Sequence, residues 1–533
     1  MRLSNLALQN KEQWAKAGVE LPAFDREAMI TATKAAPEWV HFGAGNIFRA
    51  FPAALQQKLL DAGLSKTGII VAEGYDGEII DKAYRPFDNL CIAVTLKANG
   101  SIQKQVIASL AESLRVDSDF ERLKALFRAP SLKMVSFTIT EKGYSLRGPE
   151  GNITPQVAAE FAAGPESCLQ NPIATVSSLC YERYKAGKLP LALVSMDNCS
   201  HNGDKLFAAV DAFAVEWTKR GLADPGFLDY IHSTVSFPWS MIDKITPQPD
   251  ESVRQTLISV GIEDMAGTRT AKNTYVAPFV NAEEAEYLVI EDKFPAGRPE
   301  LEKVGVLFTD RETVDKVEKM KVCTCLNPLH TALAIFGCLL GYTKISEEMK
   351  NSDLVRLVEI IGYKEGLPVV VDPGILSPRT FIDEVLQVRV PNPFMPDTPQ
   401  RIATDTSQKI PIRFGETIKA YLASSSLKVG ELKLIPLVLA AWLRYLLGID
   451  DEGKPFTVSP DPLYETLSQL LSGLKLGQVG PFHDTLAPIL SDKRIFAVDL
   501  YEAGLGQTVE AYFVELIAGP GAVAAVLKRA VAS

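Results

Sequence analysis

Residues 40–51 read VHFGAGNIFRAF, and this stretch decides the predicted fold of the first half of the chain. An apolar strand end leads into the turn Gly43-Ala44-Gly45, and a helical pattern follows to about residue 62. This order of strand, glycine turn and helix lets backbone N–H groups and a helix N-terminus approach a pyrophosphate. Gly43 permits the tight turn, and Gly45 leaves no Cβ between the backbone and a phosphate. The stretch therefore predicts a dinucleotide-binding turn.

The next strand candidate, residues 68–73, ends in Glu73. A carboxylate at that position accepts hydrogen bonds from ribose hydroxyls and repels a 2′-phosphate, which favours NAD over NADP. The third glycine of the usual G-x-G-x-x-G pattern is absent, because Phe48 stands in its place. A lone G-x-G also occurs in turns that bind nothing. Glu73 is the observation that favours NAD binding over a purely structural turn.

The composition is typical of a cytoplasmic enzyme. A chain of 533 residues is long enough for two or three domains, each with its own core. The net charge of −10 argues against nucleic acid or an anionic membrane surface as a partner. Seven cysteines, an odd number, do not suggest a disulfide framework. The first residues lack the basic and apolar regions of a signal peptide.

Short apolar runs alternate with helical patterns in the first half of the chain. The strand candidates are 38–42, 68–73, 91–96, 134–139 and 191–196, with 287–290 as a late addition. Such alternation predicts a Rossmann-like, doubly wound, mostly parallel α/β sheet. Long helical patterns dominate after about residue 312. We therefore predict a nucleotide domain at 1–312 and a mainly α-helical domain at 313–533, with the site in the cleft between them.

Several strings with polar residues complete the motif set. They are KVCTCLNPLHTALA at 321–334, SMDN at 195–198, DKITP at 243–247, TITEKGY at 138–144, RIATDTSQK at 401–409 and FPAGRPELEKVGVLF at 294–308. Together with GAGNIFRAF, and in the order in which they occur along the chain, they resemble the polyol-specific long-chain dehydrogenase/reductase family. That family includes mannitol dehydrogenase, fructuronate reductase and tagaturonate reductase.

The resemblance implies a metal-independent, NAD-dependent interconversion of a secondary alcohol and a ketone. Lys321 would be the general acid/base, Asn198 and Asn327 would hold the developing alkoxide, and His330 would bind a substrate hydroxyl. Asp243, Arg401 and Lys409 would contact the rest of the sugar. The cofactor site would also take in Asn46, Ile47, Phe48, Arg49, Thr140 and Glu141. The chemistry agrees, because the alcohol must lose a proton as hydride leaves, and amide donors stabilise the charge that builds on its oxygen.

Two classes of function stay open, a dehydrogenase and a dinucleotide-binding regulatory protein on the same fold. The lysine, the two asparagines and the histidine favour the enzyme, since a binding module needs no base. Arg401 and Lys409 suit a carboxylate and favour a hexuronate such as fructuronate, reduced to mannonate. Mannitol 2-dehydrogenase and tagaturonate reductase are the alternatives. We expect a small-molecule substrate, no nucleic acid or membrane partner, and a monomer or small homo-oligomer.

The spacing around the lysine departs from the family. Lys321 lies six residues before Asn327, one more than usual, and an unbroken α-helix would turn it about 120° away from Asn327. We therefore predict a break between Lys321 and Pro328. It would be a π-bulge, or a fresh helix with Asn327 as N-cap and Pro328 at the first helical position. The alternative is that Lys321 is a solvated surface residue.

Residues 322–343 carry no formal charge and are long enough to span a bilayer. Asn327 and His330 are costly in lipid, so the run favours a buried helix beside a site. Cys323, Cys325 and His330 could also suggest zinc. They lack a fourth local ligand and the usual C-x₂-C spacing, so we predict that no metal is bound.

Overall fold

The computed structural model describes residues 1–167 and 169–532. The chain divides into two compact units. The first comprises Met1–Leu96 and Ser101–Asp315, and the second comprises Lys97–Gly100 and the chain from Lys316 onward. The first unit contains the β-sheets, and the second is built from helices and their connections. This confirms the predicted class, an α/β domain followed by a mainly helical one.

A six-stranded sheet lies at the centre of the first unit. In chain order its strands are Trp39–Phe42, Ile69–Glu73, Leu110–Arg115, Met134–Phe137, Leu191–Ser195 and Val235–Ser236. Neighbouring strands are parallel, and their order in space is 3-2-1-4-5-6. This is the doubly wound order, in which ligands bind at the carboxyl ends of the first and fourth strands. The prediction of a Rossmann-like parallel sheet is confirmed.

Helices cover both faces of this sheet, so both faces of its strands are buried and their sequences are continuous apolar runs. Val40 and Ile70 pack into one core cluster with Phe127. Their chain neighbours Trp39 and Val71 point to the opposite face and pack into a second cluster. This alternation follows from the two-residue period of a strand.

The remaining strands form smaller sheets. Cys91–Leu96 is a strand as predicted, but it lies outside the parallel sheet, with Val19–Glu20, Ile102–Ile107 and Phe279–Glu283. The late strand Tyr287–Glu291 is also present, between Ser240–Asp243 and Leu307–Thr309. Thr268–Arg269 pairs with Tyr275–Val276. Which sheet a strand joins depends on contacts far along the chain, and those leave no local pattern.

The first unit contains short and long helices around these sheets. The α-helices are Lys11–Lys16, Arg26–Ala35, Asn46–Ala50, Pro52–Asp61, Glu78–Ala83, Phe120–Arg128, Pro155–Ala163, Pro172–Lys185, Asn202–Lys219, Gly226–Ser233 and Glu251–Ser259. Single 3₁₀ turns occur at Ala7–Gln9, Arg85–Phe87, Glu141–Tyr144 and Leu301–Val304. The helical pattern after the glycine turn is two helices, because Phe51, with φ −129° and ψ −73°, leaves the helical region just before Pro52.

The division between the units falls within the helix Arg311–Met320. The further α-helices of the second unit are Asn327–Leu339, Ile345–Glu348, Ser352–Glu359, Pro378–Glu384, Pro399–Ile402, Thr406–Ile410, Glu416–Ala423, Leu434–Tyr445, Tyr464–Leu471, His483–Leu490, Lys493–Phe496, Gly506–Leu516 and Ala522–Ala532. Leu367–Val369 and Val429–Glu431 are 3₁₀ turns. Four π-helical segments stand out, Lys321–Cys325, Ile360–Gly366, Val385–Arg389 and Pro411–Gly415.

The charge-free run noted in the sequence falls in the helical stretch Arg311–Leu339. By length and composition this stretch could cross a membrane, but 72% of its most apolar window is buried inside the protein. Leu333 and Phe336 in it are 0% exposed. Burial of this kind is typical of a core helix and agrees with the interpretation that the sequence favoured.

The glycine turn has the tight geometry that the sequence predicted. Gly43 has a φ of 108°, and a Cβ there would lie 2.2 Å from the carbonyl oxygen of Thr138. Gly45 has a φ of −78°, and a Cβ there would meet nothing within 4 Å. The fold therefore requires glycine at position 43, whereas Gly45 only keeps the space beside the backbone open.

We expect Gly43→Ala to lower the free energy of unfolding by at least about 2 kcal/mol, because the variant must adopt a strained φ and displace Thr138. Gly45→Ala is the matched control and should change it by less than about 0.5 kcal/mol. Denaturant unfolding of both variants without added ligand measures the difference. Equal stability of the two variants would contradict this account of the turn.

Candidate functional site

Glu73 holds the glycine turn in place. One carboxylate oxygen accepts a hydrogen bond from the backbone N–H of Ala44 at 2.8 Å. The other accepts from the N–H groups of Tyr75 and Asp76, at 2.8 and 3.0 Å. Glu73 is only 7% exposed. The side chain that the sequence assigned to a ribose contact therefore also ties the turn after the first strand to the turn after the second.

Two cavities open where the parallel strands end. One, of about 590 Å³, is lined by the glycine turn, the end of the second strand and the loop after the fourth strand. The other, of about 730 Å³, shares Glu73, Gly74, Tyr75 and Val116 with it and extends to Phe120. Both volumes lie in the range of small-molecule and cofactor sites. Their position is the one at which doubly wound sheets bind dinucleotides.

Asp197 fixes the loop that forms one wall of the smaller cavity. Its carboxylate accepts the N–H groups of Ile139 and Thr140 at 3.0 and 2.8 Å, and the hydroxyl of Tyr144 at 2.5 Å. Burial raises the pKa of Asp197, although these three donors oppose the shift. The neighbouring Asn198 is exposed. The sequence motifs assigned a role to Asn198, and the contacts by which Asp197 holds the loop become visible only in the structure.

A buried histidine, His41, contacts the fourth strand and the loop that follows it. The ring nitrogens of His41 lie 2.6 Å from the hydroxyl of Ser136 and 2.8 Å from that of Thr138. The ring stacks on Phe48 with a centroid separation of 4.2 Å. Burial lowers the pKa of His41 to about 3, so the imidazole is neutral at physiological pH. His41 therefore joins the first and fourth strands directly beneath the glycine turn.

Several predicted cofactor contacts have side chains that are engaged within the protein. Phe48 is buried against His41, and Arg49 donates to the carbonyl of Ala277 at 2.7 Å and to Asn46 at 2.9 Å. Glu141 pairs with Lys205. None of the side chains of Asn46, Ile47, Phe48, Arg49 or Glu141 lines the 590 Å³ cavity, whereas Gly43, Gly45, Glu73 and Thr140 do.

The predicted break in the helix after Lys321 is confirmed. Lys321–Cys325 is a π-helical turn, and the N–H of Leu326 donates to the carbonyl of Lys321, five residues back, at 3.1 Å. Leu326 has φ −127° and ψ −62°, and a new α-helix begins at Asn327 with Pro328 in its first turn. The π-bulge and the fresh helix start thus occur together. Asn327 is the first helical residue rather than the N-cap that we predicted.

Lys321 is 5% exposed, which contradicts the alternative that it is a solvated surface residue. Asn327 is half-buried. Among the described residues no group of three or more histidine, cysteine and acidic side chains could hold a metal ion. That no metal is bound near Cys323, Cys325 and His330 stays a prediction.

His330 lies in a cluster of charged side chains. Its Nε2 is 3.5 Å from a carboxylate oxygen of Asp397, and Asp397 also pairs with Arg401. Burial lowers the pKa of His330 to about 3, and the cationic side chains of Arg413, Arg401, Arg389 and Lys409 act in the same direction. The imidazole is therefore neutral, with one nitrogen able to donate and one able to accept.

The predicted substrate contacts fall in both units. Lys409 donates to the carbonyls of Ile402, at 3.2 Å, and Thr404, and burial lowers the pKa of its ammonium group. Asp243 ends the strand Ser240–Asp243 in the first unit and is 6% exposed. The second unit also brings Asp397, Arg389 and Arg413 into the cluster around His330. The sequence did not indicate these three, since they converge only through the fold.

Comparison with known families agrees with this architecture. Residues 37–303 match the family described as the mannitol dehydrogenase Rossmann domain. Residues 313–516 match the mannitol dehydrogenase C-terminal domain. Together these matches cover most of the chain.

Two curated proteins and two solved structures extend the comparison. The chain is 54% identical to a D-mannonate oxidoreductase of Thermotoga maritima, covering 100% of this chain and 99% of that protein. It is 30% identical to a mannitol 2-dehydrogenase of Pyrenophora tritici-repentis, covering 87% and 77%. The Pseudomonas fluorescens mannitol 2-dehydrogenase, solved with NAD and D-mannitol, has a TM-score of 0.70 and 26% identity, covering 99% of both chains. A substrate-free D-sorbitol dehydrogenase has a TM-score of 0.79 and 26% identity, covering 96% and 98%.

The family matches and the full-length relative confirm the resemblance that the sequence motifs indicated. The parallel sheet with its glycine turn and the helical second unit are the two parts that these families describe. The chain belongs to the mannitol dehydrogenase family of NAD-dependent oxidoreductases.

Proposed function

We propose that this enzyme interconverts D-mannonate and D-fructuronate with NAD as the cofactor. The observation that carries the proposal is the 54% identity to a D-mannonate oxidoreductase over the whole of both chains. The mannitol 2-dehydrogenase relatives are much less similar, at 30% identity. The cationic cluster around His330 agrees with a substrate that bears a carboxylate. We include in the proposal that the enzyme acts in the cytoplasm, as a monomer or small homo-oligomer.

The first unit fits the cofactor. Gly45 leaves open space beside the backbone at the start of the helix Asn46–Ala50, and a pyrophosphate can approach N–H groups there. Glu73 keeps lone pairs for ribose hydroxyls beyond its three backbone donors, because two carboxylate oxygens offer about four acceptor positions. Thr140 lines the same cavity. When bound, NAD supplies the acceptor or donor of the hydride.

The chain's own groups handle the proton and the charge. In the proposed oxidation, Lys321 takes the proton of the substrate hydroxyl while the hydride leaves the carbon that carries this hydroxyl. The side-chain amides of Asn198 and Asn327 donate hydrogen bonds to the oxygen as negative charge builds on it. Neutral His330 binds a neighbouring hydroxyl. Reduction runs through the same groups in reverse, so that Lys321 returns the proton.

In the proposal, the rest of the sugar acid meets three charged side chains. Asp243 accepts hydrogen bonds from hydroxyls, and Arg401 and Lys409 donate them. Lys409 is already oriented by two backbone carbonyls, which restricts its ammonium group to one direction. Donors and acceptors of this kind select a substrate by its pattern of hydroxyl groups.

Steady-state oxidation of NADH with fructuronate, tagaturonate and fructose tests the proposed substrate. We expect kcat/KM for fructuronate to exceed that for fructose by roughly tenfold to a hundredfold, because charge-assisted hydrogen bonds to a carboxylate are worth about 1.5–3 kcal/mol. Higher kcat/KM with fructose would indicate a mannitol 2-dehydrogenase instead. Higher kcat/KM with tagaturonate would indicate a tagaturonate reductase. NADH binding without turnover of any sugar would favour the regulatory alternative.

Cofactor choice gives a separate prediction. The native enzyme should use NADH at least about tenfold better than NADPH, because the carboxylate of Glu73 repels a 2′-phosphate. Glu73→Gln removes the charge and should bring the ratio of kcat/KM with NADH to kcat/KM with NADPH closer to one. Glu141→Gln is the control, since Glu141 does not line the cavity and should leave the ratio unchanged. Equal use of both cofactors by the native enzyme would contradict the role of Glu73.

A further inference from the structure

Two fully buried arginines of this protein bind main-chain carbonyls. Arg183, which is 0% exposed, donates five hydrogen bonds to main-chain carbonyls. Arg444, also 0% exposed, donates three. Both therefore satisfy most of their five N–H donors within the protein, as a structural arginine must when water is excluded.

Arg413 differs from these two. Among the described residues its guanidinium makes a single side-chain hydrogen bond, from Nη1 to the hydroxyl of Thr331, and no ion pair with a carboxylate. The residue is half-buried, and burial lowers the pKa of its guanidinium to about 10, so it stays charged at neutral pH. Four of its five N–H donors make no hydrogen bond within the described residues, so they are available to an anionic ligand.

The single hydrogen bond places Arg413 at the start of the helix that carries the candidate catalytic residues. Thr331, which accepts from Arg413, follows His330 directly and donates its own hydroxyl to the carbonyl of Asn327 at 2.9 Å. The four residue steps from Asn327 to Thr331 correspond to a rise of about 6 Å along the helix. That span is comparable to the length of a six-carbon sugar acid, so groups at its two ends could meet opposite parts of one substrate.

The surrounding charge also indicates an anion. Four cations, Arg389, Arg401, Lys409 and Arg413, influence His330, which is itself neutral. Asp397 is the carboxylate beside His330, and it pairs with Arg401. Carboxylates thus act on Arg401, through Asp397, and on Lys409, through Asp405 and Asp461, whereas Arg413 makes no ion pair among the described residues, and its charge attracts an anionic group.

The local backbone is irregular at the same place. Arg413 lies in the π-helical segment Pro411–Gly415, as Lys321 lies in Lys321–Cys325 and Arg389 in Val385–Arg389. Single π turns are rare in proteins, but those that occur are often found at functional sites. Such a turn changes the direction of side chains that a regular helix would point away from the site. The π turn at Arg413 therefore fits a role toward a ligand better than a role in packing.

We infer that Arg413 binds the carboxylate of the sugar acid and thereby distinguishes it from the corresponding polyol. A planar guanidinium with free N–H donors matches a carboxylate in a two-point contact. A polyol offers a CH₂OH group in that position and leaves the half-buried guanidinium without a counter-charge, which lowers the affinity of the polyol. This inference rests on the proposed function, since it assigns one end of the proposed substrate to one residue.

Kinetics of Arg413→Met and Arg413→Lys test the inference. For Arg413→Met we expect KM for D-mannonate to rise roughly tenfold to a hundredfold, while KM or the competitive inhibition constant for D-mannitol changes less than about threefold. Arg413→Lys keeps the charge and should recover part of the loss. Arg356→Met is the control, because Arg356 lies on the surface and pairs with Glu359. NADH affinity, measured for every variant, checks that the fold and the cofactor site are intact.

The outcomes separate the inference from the proposed function. If the unmodified enzyme does not oxidise D-mannonate, the proposed substrate is wrong whatever the variants do. If the unmodified enzyme does oxidise D-mannonate, two results would overturn the inference. One is an unchanged KM for D-mannonate in Arg413→Met, and the other is an equal loss of affinity for D-mannonate and D-mannitol. If Arg413→Met loses NADH affinity, Arg413→Gln takes its place as the charge-removing variant, and an unchanged ratio of the KM for D-mannonate to the constant for D-mannitol in Arg413→Gln would overturn the inference.

Discussion

The arrangement of the candidate catalytic groups in the second unit depends on a break in the α-helical hydrogen-bond ladder. Regular helical geometry would turn Lys321 about 120° from Asn327. The π turn Lys321–Cys325 and the new helix at Asn327 remove that constraint. The cost of the break is reduced because Pro328, in the first turn, has no N–H to leave unsatisfied. A long buried helix thus carries a polar site without losing its apolar packing on either side.

In the first unit, two buried carboxylates hold the loops at the carboxyl ends of the strands. Glu73 and Asp197 each accept backbone N–H groups from a neighbouring loop, so the glycine turn and the loop at Thr140 are held in defined positions. Both loops wall one cavity. Neutral His41 adds hydrogen bonds between the first and fourth strands beneath it. Rigid loops at the carboxyl ends of the strands let a ligand bind without first ordering the backbone.

The sequence predicted the parts of the fold that have a local signal. The strands ending at Phe42, Glu73, Phe137 and Ser195 were found because buried parallel strands are continuous apolar runs. Leu110–Arg115 was missed because glutamate, serine and arginine interrupt its apolar pattern. The separate sheet containing the strand that begins at Cys91 could not be anticipated, since its pairing joins distant segments.

The same distinction holds for the site. The glycine turn and the helix break follow from residue types and spacing, and both were predicted. The positions of Asp397 and Arg413 around His330 follow from the packing of helices that are far apart in the chain. Likewise, nothing in the sequence shows that Arg49 turns toward the carbonyl of Ala277. Such contacts are visible only once the helices and loops are assembled.

The most direct test of the account is the turnover of Lys321→Ala beside Lys319→Ala, an exposed lysine on the preceding helix. If Lys321 is the acid/base, its removal should lower kcat at least about a hundredfold and leave NADH affinity nearly unchanged. Lys319→Ala should keep nearly full turnover. Retention of more than about a tenth of the native kcat by Lys321→Ala would contradict the account, because another group would then move the proton.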